Sequence, residues 1–307
     1  MHQVSLTPKI QTPSPLPMLN GVSPSYIWLP EGEWQTILAF LVDHFFHIPE
    51  VTWVERMRNG EVIDGSHQKI NVDTPYRKGA CIFYYRELAH EFHIPFEETI
   101  LFQDAHILVA DKPHFLPVIP SGRFLHETLL VRLKKKTGLE QLTPIHRIDR
   151  ETAGIVIFSH NVKTRGKYQV LFQKREVEKL YEALAPALAP EHFPMTYRSH
   201  MIEGKPFFRM QEIEGPHNSE THIELIECRG KTALYRLSPT TGRKHQLRVH
   251  LAALGAPILN DAFYPHALPC KENDVSKPLQ LLAKSISFKD PISDRLHRFD
   301  SARNLAW

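Results

Sequence analysis

The stretch His146-Arg147-Ile148-Asp149-Arg150-Glu151-Thr152-Ala153-Gly154-Ile155-Val156-Ile157-Phe158 decides how this chain is read. Asp149 stands between Arg147 and Arg150, just ahead of an apolar, strand-like run from Gly154 to Phe158. A carboxylate flanked by guanidiniums stays ionised, because adjacent positive charge favours its charged form. That suits a nucleophile or anion stabiliser placed beside groups able to hold phosphate. A single Asp-Arg pair is more often a solvated surface ion pair of small energetic consequence. The weight therefore falls on what surrounds it.

Working outward, Gly154 to Phe158 is predicted as a short buried strand, followed by a helix from Val162 to Lys174 capped by Asn161. Val177 to Ala185 is again strand-like. Upstream, His106 to Lys112 is a strand running into the turn Pro113 to Gly122, and Glu127 to Lys136 is a helix with its lysines outward. Downstream, Ile223 to Cys228 and Lys231 to Leu237 form a hairpin around Arg229-Gly230, and a helix from Arg243 to Leu254 is closed by Gly255. Residues 1–30 form a proline-rich arm. Residues 31–86 form a small module with helices near Trp34 to Phe45 and Val51 to Asn59 and strands at Val62 to Gly65 and Gly79 to Tyr85. A linker near Glu87 to Glu98 precedes the main domain, residues 98–307. The pattern is α+β, with a mixed, mainly antiparallel sheet and no regular βαβ alternation.

With 307 residues, 42% hydrophobic and 23% charged, the chain has the composition of an ordinary globular protein. The net charge is only +3, but its distribution is uneven. Cys228 to Asn260 carries no acidic residue and holds Arg229, Lys231, Arg236, Arg243, Lys244 and Arg248. Arg132 with Lys134 to Lys136, and Lys163 with Arg165 and Lys167, are further basic patches, together suiting a polyanion. The three cysteines, Cys81, Cys228 and Cys270, have no paired spacing, which argues against a disulfide framework or zinc ribbon and fits a reducing cytoplasm. No apolar run reaches membrane-spanning length and no secretory signal is visible, so no membrane association is expected.

Three further segments carry chemistry. In Thr241-Gly-Arg243-Lys244-His245-Gln-Leu247-Arg248-Val-His250, Arg243 is expected to open the helix and partner Asp149. In Lys179-Leu-Tyr181-Glu-Ala183, alternation puts Lys179 and Tyr181 on one face, where the ring could stack on a base or take a proton; a lone tyrosine is more often core. Asp111-Lys112-Pro113 on its own is a strand end and turn.

Together these segments resemble the RluA-type family of RNA pseudouridine synthases. His146-Arg-Ile-Asp149 with Thr152-Ala-Gly154 is similar to its catalytic signature, Thr241-Gly-Arg243 with His245-Gln-Leu-Arg248 to its arginine motif, and Lys179-Leu-Tyr181 to its tyrosine segment. Asp111-Lys-Pro113 with Pro117 and Pro120-Ser-Gly122 is similar to its first motif, and Leu281-Leu-Ala283 through Phe288-Lys-Asp-Pro291 to its C-terminal segment. Ile148 departs from the usual leucine, and Ala153 from the usual serine or threonine. Residues 31–86 resemble, more weakly, the small alpha-L RNA-binding module of some relatives.

The resemblance implies a catalytic domain with a central mixed sheet flanked by helices and loops, isomerising uridine to pseudouridine in rRNA or tRNA without redox change, cofactor or metal. Asp149, Tyr181 and Arg243 would be catalytic. Asp149 would either add covalently to sugar or base, or support loss of the 2′ proton. His146, Arg147, Arg150, Lys112, Lys179, Lys244, His245, Leu247 and Arg248 would contact RNA, with Arg147 filling the stack vacated by a flipped base. A monomer with no obligate protein partner is expected. The alternatives are a non-catalytic RNA-binding or RNA-folding protein on the same fold and an aspartyl hydrolase, whose second aspartate is missing from Asp149-Arg-Glu151. A zinc deaminase is disfavoured by the single cysteine of Pro269-Cys270, and a zinc protease by the spacing of His90-Glu-Phe-His93.

Overall fold

The computed structural model describes residues 14–88, 90–269 and 273–307; the first part of the predicted arm and Cys270 lie outside them. The chain divides into two compact units, Met1–His90 and Glu91–Trp307.

In the first unit, β1 (Ser25–Trp28), α1 (Ile37–His44), α2 (Glu50–Arg58), β2 (Val62–Asp64) and β3 (Cys81–Tyr84) follow in order, and the strands form a small antiparallel sheet, β1-β3-β2. The helices bury Phe40, Leu41 and Trp53 against Ile82 and Val62. Thr36 caps α1 by accepting a hydrogen bond from the Ala39 amide at 3.1 Å. Trp34 precedes the helix and packs its ring on Phe40 and Tyr76. Residues 14–30, read from their prolines as an arm, belong to this unit: β1 pairs with β3 from Ser25↔Tyr84 to Trp28↔Cys81, and Leu16 packs with Ile63 and Phe83.

The second unit contains β4 (Thr99–Gln103), β5 (Ile107–Lys112), α3 (Leu129–Thr137), β6 (Thr143–Pro144), β7 (Ala153–Ser159), α4 (Arg165–Gln173) and β8 (Val177–Pro186). There follow β9 (Met195–Glu203), β10 (Met210–Ile213), β11 (Ser219–Arg229), β12 (Thr232–Pro239), α5 (Gln246–Ala253), β13 (Leu281–Lys289) and β14 (Leu296–Asp300). The strands form one sheet in the order β10-β9-β11-β12-β8-β13-β7-β5-β4, with β14 on β13 and β6 on β7. The contact between β13 and β7 is parallel; the other named pairs are antiparallel. This is the expected α+β architecture with a mixed, largely antiparallel sheet.

The apolar runs of β5 and β7 are unbroken because both sheet faces are covered. Leu108, Ala110, Val156 and Phe158 pack with Leu129 and Leu133 of α3. Ile107, Val109, Ile155 and Ile157 pack with Tyr168 and Leu171 of α4. In this unit α4 and α5 each begin three residues later than their sequences suggested. α4 starts at Arg165, because Asn161 turns the chain first, its side chain accepting from the Lys163 amide. α5 starts at Gln246, because His245 ahead of it has a left-handed backbone, φ 56°. Asp111 of β5 is buried and holds the segment after β14: it accepts from the Ser301 hydroxyl, the Ala302 amide and Arg303 Nε.

Candidate active site

The centre of the sheet fixes the site. Gly154 of β7 pairs with Ala283 of β13, and Ala283 pairs with Tyr181 of β8. The Asp149 loop therefore enters the sheet two strands from the tyrosine. Gly154 has φ +113°, and a Cβ there would fall on the backbone of Ala283. The glycine is what lets β7 and β13 approach.

A cavity of about 510 Å³ opens over this row. It gathers Asp149, Tyr181, Arg243, Arg248, His245 and Lys179, together with His146, Arg147 and Leu247. Arg248 is the partner of Asp149: its Nη1 donates to Asp149 Oδ2 at 3.2 Å. The expected pairing through Arg243 is corrected. Arg243 lies before α5, is exposed at the cavity mouth, and donates from Nε to the Asn218 carbonyl. Arg248 lies in the first turn of α5 and is 1% exposed.

Arg248 is held from behind by Asp261, whose carboxylate takes Nε at 2.8 Å and Nη2 at 2.7 Å in a two-pronged pair. Its guanidinium also lies over the Phe263 ring, and Glu151 is 3.8 Å from Nη1. Burial works against its charge, but the bond to Asp261 and the charges of Asp261, Asp149 and Glu151 raise its pKa further. Tyr181 is half-buried; burial, then the Asp149 charge, raises the pKa of its hydroxyl, so it remains a phenol.

Gln246, absent from the sequence-based set, shapes the cavity wall. Its Oε1 accepts from the Thr241 hydroxyl and the Arg243 amide, and its Nε2 donates to the Glu220 carbonyl and Thr221 Oγ1. The Thr241-Gly-Arg243 loop is thereby fixed to β11. Lys179 Nζ donates to the Thr241 carbonyl from the opposite wall.

Other predicted contacts turn out to be internal. His146 lines the cavity, but its ring stacks on Phe172 and its Nε2 accepts from the Ile157 amide, which requires a neutral ring. Burial, with Lys179 nearby, pushes its pKa down to about 3. Lys112 is fully buried, and its Nζ donates to the carbonyls of Pro113, Leu116 and Arg150. Burial pulls its pKa down to about 7, yet three occupied acceptors call for the three hydrogens of the ammonium. It anchors the Asp149 loop rather than RNA. Arg150 also sits outside the cavity lining, its Nε donating to Glu151 and its guanidinium lying over Phe124. Lys244 is exposed and does not line the cavity. Arg147 is exposed at the mouth, with no ion pair or hydrogen bond among the described residues. Among the described residues no three His, Cys, Asp or Glu side chains converge as a metal-binding group.

Comparison with known proteins identifies the family. The family described as RNA pseudouridylate synthase matches residues 106–253. The chain is 30% identical over 220 residues to the dual-specificity RNA pseudouridine synthase RluA of Haemophilus ducreyi, covering 69% of this chain and 96% of the relative. It is 27% identical over 240 residues to an RNA pseudouridine synthase of Synechocystis, covering 76% and 81%. Among solved structures, the human RNA pseudouridylate synthase domain containing 4 superposes with a TM-score of 0.53 at 25% identity, covering 67% of this chain and 88% of that one.

Proposed function

This chain belongs to the RluA-type family of RNA pseudouridine synthases, and on that premise we propose that Asp149, held by Arg248, drives isomerisation of uridine in structured rRNA or tRNA. The enzyme breaks the glycosidic bond, and C5 of the released uracil rejoins the sugar. The observation that carries the site assignment is the cavity itself: one carboxylate, bonded to a buried arginine, shares it with a protonated tyrosine.

Tyr181 is placed to lie against the uracil and to exchange a proton with it. Arg243 and Arg147, exposed at the mouth, are positioned for RNA: Arg243 for phosphate, Arg147 for the gap left by a flipped nucleotide. Removing a base from a stack costs a few kcal/mol, least in loops, which favours a loop uridine as target. The first unit supplies little of the charge: nine acidic and six basic side chains fall in residues 14–88. Phosphate binding is therefore assigned mainly to the catalytic unit, and an RNA-binding role for the first unit is secondary. The proposed working form is a monomer in the cytoplasm, where the free thiols of Cys81 and Cys228 would persist.

The test is a map of pseudouridine across total RNA with and without the gene. A modified position should vanish on deletion, return with the wild-type chain, and fail to return with Asp149→Ala, while that variant still binds the RNA. Conversion by Asp149→Ala would remove Asp149 from its assigned role.

A further inference from the structure

Both groups that face Asp149 address the same oxygen. Arg248 Nη1 lies 3.2 Å from Oδ2 and His245 Nε2 lies 3.9 Å from Oδ2; among the described residues nothing bonds Oδ1. His245 is 8% exposed and lines the cavity. Its other nitrogen, Nδ1, is 2.9 Å from the Tyr264 hydroxyl, and that hydroxyl accepts from the Met210 amide at 2.7 Å. With the amide donating to its oxygen, the tyrosine is set to spend its proton on Nδ1. The imidazole proton is then left on Nε2, facing Asp149. The backbone of His245 is left-handed, φ 56°, an unfavourable conformation for a histidine that surrounding structure has to enforce.

From this arrangement, and resting on the reading of the site as a pseudouridine synthase, we infer that Asp149 reacts through Oδ1 while His245, fixed by Tyr264 as the Nε2–H tautomer, anchors Oδ2 together with Arg248. His245 is thus a positioning residue. It acts through the carboxylate and closes the remaining gap as the loaded site tightens, since catalytic hydrogen bonds are often long before substrate binds. A neutral donor suits the place. Arg248 already supplies a full charge, and burial lowers the histidine pKa. The charged groups facing the ring are Asp149 and Glu151 from the loop before β7, and Lys244 and Arg248 from its own segment.

Single-turnover conversion at saturating RNA tests this, with RNA affinity and thermal melting measured alongside. His245→Phe should slow conversion about 10- to 100-fold, the worth of one hydrogen bond to a charged group, with affinity unchanged. His245→Gln, whose amide can reach toward the Nε2 position, should recover most of that loss. His245→Asn tolerates the left-handed backbone but is too short to reach, and should not. Tyr264→Phe frees the tautomer, so a proton on both nitrogens becomes the state that guarantees the Nε2 donor. Burial lowers the pKa of this ring, so the ratio of the Tyr264→Phe rate to the wild-type rate should fall as pH rises through a titration on the acid side of the ordinary histidine value.

A His245→Phe enzyme converting at the wild-type rate would overturn the inference, as would a Tyr264→Phe ratio flat across that titration. Should His245→Phe not fold, the Gln and Asn pair together with Tyr264→Phe decide it. A wild-type enzyme that makes no pseudouridine would instead remove the enzymatic reading itself, so the two failures are distinguishable.

Discussion

Arg248 shows how much of this site depends on one buried charge. A guanidinium 1% exposed to solvent persists only where its charge is neutralised at bonding distance. Asp261 does most of this, with two bonds of 2.8 and 2.7 Å, while its Oδ1 also accepts from the Phe263 and Tyr264 amides. Asp261→Asn would set amide hydrogens against the guanidinium and leave its charge half-compensated. The expected result is a loss of about 3 kcal/mol or more in urea unfolding, together with slower conversion at a temperature where the variant is still folded. Unchanged unfolding would mean the pair is not structural. Asp149, Tyr181 and the arginine motif were legible in sequence because each is a short local pattern. Which arginine reached Asp149 was not, since that depends on the helix starting at Gln246 instead of Arg243. Asp261 was invisible because nothing local marks it as the partner of a residue 13 positions earlier. Lys112 is expected to contact RNA only because its motif resembles the family's first motif, and sequence does not reveal three carbonyls closing over it.

Gly154 carries the argument at the level of elements. It is the point where the parallel junction of β7 with β13 brings the Asp149 loop into register with Tyr181 across Ala283. Gly154→Ala would strain the positive φ and drive a methyl into the Ala283 backbone, neither of which a flexible side chain can relieve. A loss of about 2 kcal/mol or more is expected by denaturant unfolding, with a larger fall in conversion than in RNA affinity because the carboxylate and phenol lose their spacing. Equal falls in both would point to general unfolding. Strands buried on two faces, β5 and β7, were legible as apolar runs, and so was the β11–β12 hairpin around Arg229-Gly230. Strands β9 and β10 were not: Met195-Thr-Tyr-Arg-Ser-His-Met-Ile-Glu203, one strand in from the edge strand β10, has many polar and part-exposed positions, so no apolar run announces it. β4 is not legible either: it begins just past the expected linker, and its apolar run, Ile100-Leu-Phe102, is only three residues long.

For the whole molecule, the catalytic unit is built around histidines that fold in the neutral state. His250 is 1% exposed, with Nε2 near the hydroxyls of Ser199 and Ser219 and Nδ1 near that of Thr221, and burial lowers its pKa to about 4. His114, bonded to the Glu151 carbonyl, is likewise lowered to about 4 by burial, and His146 to about 3. In the unfolded chain each would take a proton near its ordinary value of 6.5. The unfolded state therefore binds more protons between about pH 6.5 and 4, and stability falls as pH drops through that window. Above it the contribution is constant. At pH 5 the fully buried His250 accounts for about 2 kcal/mol, and the two half-buried rings for less. Their combined effect is a sizeable part of the 5–15 kcal/mol that typically separates folded from unfolded protein. Urea midpoints measured from pH 8 to 5 should hold level and then decline below neutrality. His250→Gln, which removes the titrating ring, should be less stable at pH 8 yet lose less on acidification. A wild-type profile flat to pH 5 would mean these rings charge freely in the folded protein, and that the polar network beneath the active site is not closed to water.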